Sequence, residues 1–209
     1  MPRPAPPPAA PTPSTSAADP RYRRVLALAL VLNLLMFGVE LAASRSSGSV
    51  SLLADSIDFF GDAASYGVSL AVLGLGAAIR SRAAGVKAAC MGGFGIFVLA
   101  RALWMLAAGG VPEPATMGGV GLLALAVNVG VAWMLYRYRH GDADMRSVWI
   151  CSRNDAYGNL AVMAAAAGVF GTGHAWPDLL VAGAMGVLAL NGAWLVLRQV
   201  RAEAAAAPR

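Results

Sequence analysis

The sequence predicts an all-α membrane protein of six transmembrane helices with both termini on the cytoplasmic side. Three observations carry that expectation: apolar content, the number of long apolar stretches and the placement of basic residues. Of the 209 residues, 58% are hydrophobic and only 13% are charged, with a mean hydropathy of +0.62. Soluble domains are about half apolar. A bilayer core of about 30 Å takes about 20 helical residues to cross, and the chain offers six such stretches, at 25–44, 50–79, 88–108, 116–136, 147–170 and 178–197. With the N-terminus inside, thirteen of the 16 Lys and Arg residues fall in cytoplasmic segments, and the outer loops hold only Arg45. The excess of inside charge sets the orientation.

The first twenty residues, rich in Pro, Ala, Ser and Thr, cannot bury enough apolar surface to offset their ordering entropy, which marks a disordered tail at 1–20. Arg21, Arg23 and Arg24 then precede a run that imitates a secretory signal. It is too long for one and carries Asn33 and Glu40. The six-helix domain is expected over 21–200, with a short cytoplasmic tail at 201–209. The connectors SRSSGS, IRSRAAGVK, GGVPEPAT, RYRHGDADMR and GTGHAWPD are Gly-, Pro- or charge-bearing breakers between spans. Trp133, Tyr136, Tyr138 and Trp176 lie where interfacial aromatic belts form. Cys90 and Cys151 have no CxxC spacing and are read as packing residues. His140 and His174 are loop residues. The basic residues form no aromatic-interleaved patch, so no nucleic acid partner is expected. With no HExxH and no phosphate loop, neither is an enzyme.

The second span, SLLADSIDFFGDAASYGVSL, holds three aspartates. Facing lipid at a helix centre they would together cost about 7.5–10 kcal/mol. At 100° per residue Asp55, Asp58 and Asp62 fall within an arc of about 60°, and Ser51, Ser65 and Ser69 extend the stripe. That face turns into the bundle. In the fifth span Asp155 and Asn159 share a face at i and i+4, with Arg153 roughly opposite. Counting a rise of about 1.5 Å per residue from opposite membrane faces places Asp58 level with Asn159 and Asp62 level with Asp155, near the midplane. Four oxygen-bearing side chains from two antiparallel helices form a site that a small divalent cation would neutralise. Asp55 lies nearer the outer mouth, as an entry or supporting group. Arg101, at the depth of Glu40 and Asp55, is expected to form an internal ion pair, and Arg153 to snorkel inward. The blander alternative is a buried polar network that only holds the bundle together. Three carboxylates without enough cationic partners argue against it. Asn33 before Asp58 and Asn128 before Asp155 also give a faint inverted repeat.

The run LNLLMFGVELAASRSSGSVSLLADSIDFFGDAASYGVSL resembles the first two helices of the cation diffusion facilitator family, with its small-residue loop, Ser-x-x-Leu-Leu-Ala-Asp entry and Asp-x-x-x-Asp pair. RSVWICSRNDAYGNLAVMAAAAGVFGTGHAWPDLLVAGAMG resembles the family's fifth helix and following loop, including Trp-Pro-Asp before the last helix. The resemblance covers all six spans and implies the cation efflux bundle. It implies divalent-metal efflux by alternating access in an inner (plasma) membrane, coupled to proton antiport, as a homodimer. It maps the metal site onto Asp58, Asp62, Asp155 and Asn159. The departures are Asn159 where Asp is usual, no histidine in the site, SRAAGVKAA in place of the Gly-His-Gly stretch entering the third helix, and no cytoplasmic metal-binding domain after Arg198. An all-oxygen site leans from zinc toward manganese, with zinc, iron(II), cobalt and cadmium open as cargo and no resident cofactor. The rival from another class is a non-transporting scaffold or accessory subunit of the same fold.

Overall fold

Ala, Leu, Val and Met fill each apolar stretch, and in the computed structural model, which describes residues 20–72, 77–139 and 143–206, each winds into a helix. These are α1 (Pro20–Ser47), α2 (Val50–Val72), α3 (Ala77–Ala108), α4 (Pro114–Leu135), α5 (Ala143–Thr172) and α6 (Trp176–Ala206), with a 3₁₀ turn at Tyr136–Tyr138. There is no strand among the described residues. The expected tail at 1–20 falls, but for Pro20, outside them, as do His140 and residues 207–209.

Turn chemistry sets the boundaries. Gly48 takes φ 73° and donates its N–H to Ser44 O at 2.9 Å, a left-handed stop that side chains with a Cβ resist. Glu113 caps α4 by accepting from the N–H groups of Ala115 and Thr116 at 3.0 and 2.8 Å, ahead of Pro114 in the first turn. Its own N–H reaches Ser47 O at 2.9 Å, docking the α3–α4 loop onto the end of α1.

The boundary between the second and third helices needs correction. The second span ends at Val72, and the stretch read as the connector IRSRAAGVK lies inside α3. Its Ala, Arg and Lys are good helix formers, so the helix continues beyond the apolar stretch. Among the described residues, four of the six helices are by length and composition apolar enough to cross a membrane: α1, α3, α4 and α6. The other two are those with the acidic seam. Asp55, Asp58 and Asp62 load α2, while Asp155, Asn154, Asn159 and several glycines dilute α5.

Helices α1, α2, α4 and α5 close a four-helix bundle through α1·α2, α4·α5, α1·α4 and α2·α5 packing, and α3 with α6 forms a pair laid against α2 and α5. The bundle core runs from Tyr22, Leu26, Tyr66 and Leu135 through Met36, Phe59 and Ala124 to Leu52, Met117, Val162 and Val169. Val50, Ile57, Val98, Met105 and Ala182 join α2 to the α3·α6 pair. That pair is drawn close by small residues: a Cβ on Gly95 would sit 3.1 Å from Gly186 O. Such contacts replace the hydrophobic drive that lipid removes. Leu103, Trp104, Phe170 and Leu188 are exposed, as a lipid-facing surface requires. Trp133, Tyr136 and Trp176 are exposed near helix ends.

Candidate functional site

The seam between α2 and α5 gathers the acidic residues. Asp62 and Asp155 face each other at hydrogen-bonding range, and Asp58 lies close enough for its charge to act on Asp155. Among the described residues, the ionisable neighbours that act on Asp58 and Asp155 are carboxyls and the Cys151 thiol, with no Lys or Arg among them. Oδ2 of Asp155 is buried and has no hydrogen-bond partner among the described residues. Tyr66, one turn beyond Asp62, donates to Asp62 Oδ2 at 3.2 Å and lies 2.6 Å from Ser152 Oγ. It ties α2 to α5 on the inner side of the carboxylates.

Asn159 is placed elsewhere than the depth count expects. Its Nδ2 donates to Asp55 Oδ2 at 2.7 Å, and its Oδ1 accepts from Asn128 Nδ2 at 2.9 Å. Asp55 also faces the fully buried Glu40 of α1. A second polar layer, Glu40, Asp55, Asn159 and Asn128, therefore crosses all four bundle helices one turn outward of the carboxylate trio. The structure brings Asp58, Asp62 and Asp155 together and gives Asn159 to Asp55. Among the described residues no three His, Cys, Asp or Glu side chains are drawn tightly enough to enclose an ion, so an ion would have to pull the carboxylates inward.

A cavity of about 880 Å³ between α5 and the α3·α6 pair reaches this seam, with Asp58 and Asp155 in its wall beside Asn154, Met91 and Met185. It runs along α6 from Leu180 to Val196 and reaches Ala88 on α3. Near the start of α2 the chain is tied to α6. Asp178, fully buried in the first turn of α6, accepts from Ser49 Oγ at 2.7 Å, Val50 N at 2.8 Å and Ser51 N at 3.1 Å. One helix thus caps the positive end of another.

Three residues behave differently from expectation. Arg101 forms no ion pair among the described residues; its guanidinium lies over Trp104, 4.5 Å from the ring centroid. Cys90 and Cys151 are exposed, so neither is a core packing residue. Cys151 stands one turn from Asp155 on the same face, near enough to act on its charge; the i, i+4 spacing was the available signal. Arg153 is exposed and lies 5.2 Å from the Trp149 ring, and His174 is exposed in its loop.

Helices that bury carboxylates between them beside a cavity have the build of a polytopic membrane protein that handles cations. The chain belongs to the cation efflux family: the family model for the cation efflux transmembrane domain matches residues 26–203. The protein is therefore a multi-pass membrane protein of a cation transporter family. No curated protein matches the chain.

Proposed function

We propose that the protein exports a divalent metal cation from the cytoplasm, binding it between α2 and α5 through Asp58, Asp62 and Asp155, in exchange for protons. The carrying observation is that Asp58 and Asp155 stand in the cavity wall with Asp62 facing Asp155, and that no basic side chain among the described residues acts on Asp58 or Asp155. Like charges this close need a cation or a proton between them. Alternation between those two occupants is the exchange. Cys151, one turn inward, is a fourth donor, and Asn159 steadies the site through Asp55. A thiolate beside three carboxylates widens the cargo from manganese toward zinc and cadmium.

The test is flux into proteoliposomes of manganese, zinc, iron(II), cobalt and cadmium, with and without a pH gradient, for the wild type and Asp62→Asn. Transport in the wild type, stimulated by the gradient and lost in a variant with unchanged melting, is the expected result. A folded wild type that moves none of these ions overturns the proposal, and flux indifferent to the gradient removes its proton arm.

A further inference from the structure

A second cavity, of about 450 Å³, lies away from the acidic seam, bounded by α1, α2 and α3. Its wall joins Phe37, Phe60, Phe94 and Phe97 to two arginines, Arg45 and Arg101. The rings make a continuous apolar surface across three helices, with centroids 5.3 Å apart for Phe37 and Phe60 and 6.0 Å for Phe60 and Phe94. Phe60, Phe94 and Phe97 are all exposed, so the cavity opens sideways to the bilayer.

The arginines approach one another's level. Arg45, in the last turn of α1, turns back one turn to donate from Nη1 to Leu41 O at 3.3 Å. Arg101 stands about 10 Å inside the end of α3 at Ala108. It leans toward that end, over Trp104. Among the described residues no acidic side chain lines the cavity. The hydroxyls of Ser44 and Ser56 are already given to Ser49 O and Leu53 O, each at 2.7 Å. A single arginine near a helix end can snorkel into the headgroups. Two that converge on one apolar cavity leave a doubly positive mouth whose complement is an anion with an apolar body. A second copy of the chain docked here by two-fold symmetry would instead bring four guanidiniums together.

We propose that this cavity holds an outer-leaflet phospholipid with an anionic headgroup, its phosphate between Arg45 and Arg101 and one acyl chain along Phe37, Phe60 and Phe94. Guanidinium groups bind phosphate through paired, charge-assisted hydrogen bonds. The aromatic wall supplies the apolar contact.

Native mass spectrometry of the full chain in detergent, titrated with phosphatidylglycerol or phosphatidylcholine, tests this. The expected result is phosphatidylglycerol retained about tenfold more tightly than phosphatidylcholine, with the preference lost in Arg45→Gln/Arg101→Gln and partly restored by lysine at both positions. Brominated phosphatidylglycerol should also quench the part of the wild-type fluorescence that Trp104→Phe removes, a readout that stands even if the double variant does not fold. Equal retention of the two lipids, a folded double Gln variant that keeps the preference, or no quenching at Trp104 overturns the proposal. So does a lipid-free dimer that the double substitution dissolves.

Discussion

Asp178 does at long range what an N-cap usually does within one helix. Its carboxylate is the acceptor for Val50 N, Ser51 N and Ser49 Oγ, so Asp178→Ala strands two buried backbone donors at the start of α2. The expected loss is about 1–3 kcal/mol of stability, read as a lower unfolding midpoint in micelles. An unchanged midpoint would mean that water replaces the carboxylate without cost. Glu113 is the exposed counterpart on α4. Hydrogen bonds from the Thr116 side chain, then from the backbone N–H groups of Thr116 and Ala115, hold its carboxyl below the usual glutamate range. A folded value below the unfolded one makes the contribution complete above the unfolded pKa of about 4.3 and lost as pH falls through the folded value. The melting gap between wild type and Glu113→Gln should therefore be open at neutral pH and close on acidification below about pH 4. A gap constant with pH would remove the charge from the explanation. Neither role was singled out from the sequence: Glu113 stands in the connector GGVPEPAT and Asp178 in Trp-Pro-Asp before the last helix, with its partners 127 to 129 residues away.

At the scale of elements, α3 and α6 depend on absent side chains. An alanine Cβ at position 95 would meet Gly186 O at 3.1 Å and Leu190 Cγ at 3.2 Å, and a backbone oxygen in a helix cannot step aside. Gly95→Ala should cost about 1–3 kcal/mol through overpacking, whereas Gly38→Ala, with nothing within 4 Å, should be neutral or stabilising. Denaturant midpoints of the two variants decide; equal values would mean that α3 and α6 separate freely. The six helices were legible because apolar runs of membrane length have few alternative uses. Their ends were less so, since Ala77 to Lys87 reads as a polar connector yet propagates α3. The pairing of α2 with α5 followed from their shared burden of carboxylates. The register within it was beyond a depth count, because one helical turn is about 5.4 Å and modest tilt shifts levels by that much. So Asn159 meets Asp55, while Asp62 and Asp155 meet as the count expects.

In the whole molecule, a four-helix bundle carries the carboxylates and the α3·α6 pair covers them. The links between these bodies differ in strength from one side of the membrane to the other. Outside, Asp178 binds α6 to the start of α2 through three hydrogen bonds; further in, the two bodies part around the cavity that reaches Asp58 and Asp155. On the export proposed above, the pair would rock against the bundle, opening one side as the other closes. The cavity must then collapse in the opposite state, and a side chain that fills it should resist the collapse without touching the ion. Ala184, exposed on α6 in the cavity wall, is the position for that wedge. Ala184→Trp should leave metal binding near the wild-type affinity. An overpacking penalty of about 1–3 kcal/mol on the closed state should slow flux by about tenfold or more. Binding by calorimetry and flux in proteoliposomes separate the two effects. Flux untouched by the wedge would show that α6 does not close over this cavity, and the route to the carboxylates would then have to run through the α2·α5 seam at Tyr66 and Ser152.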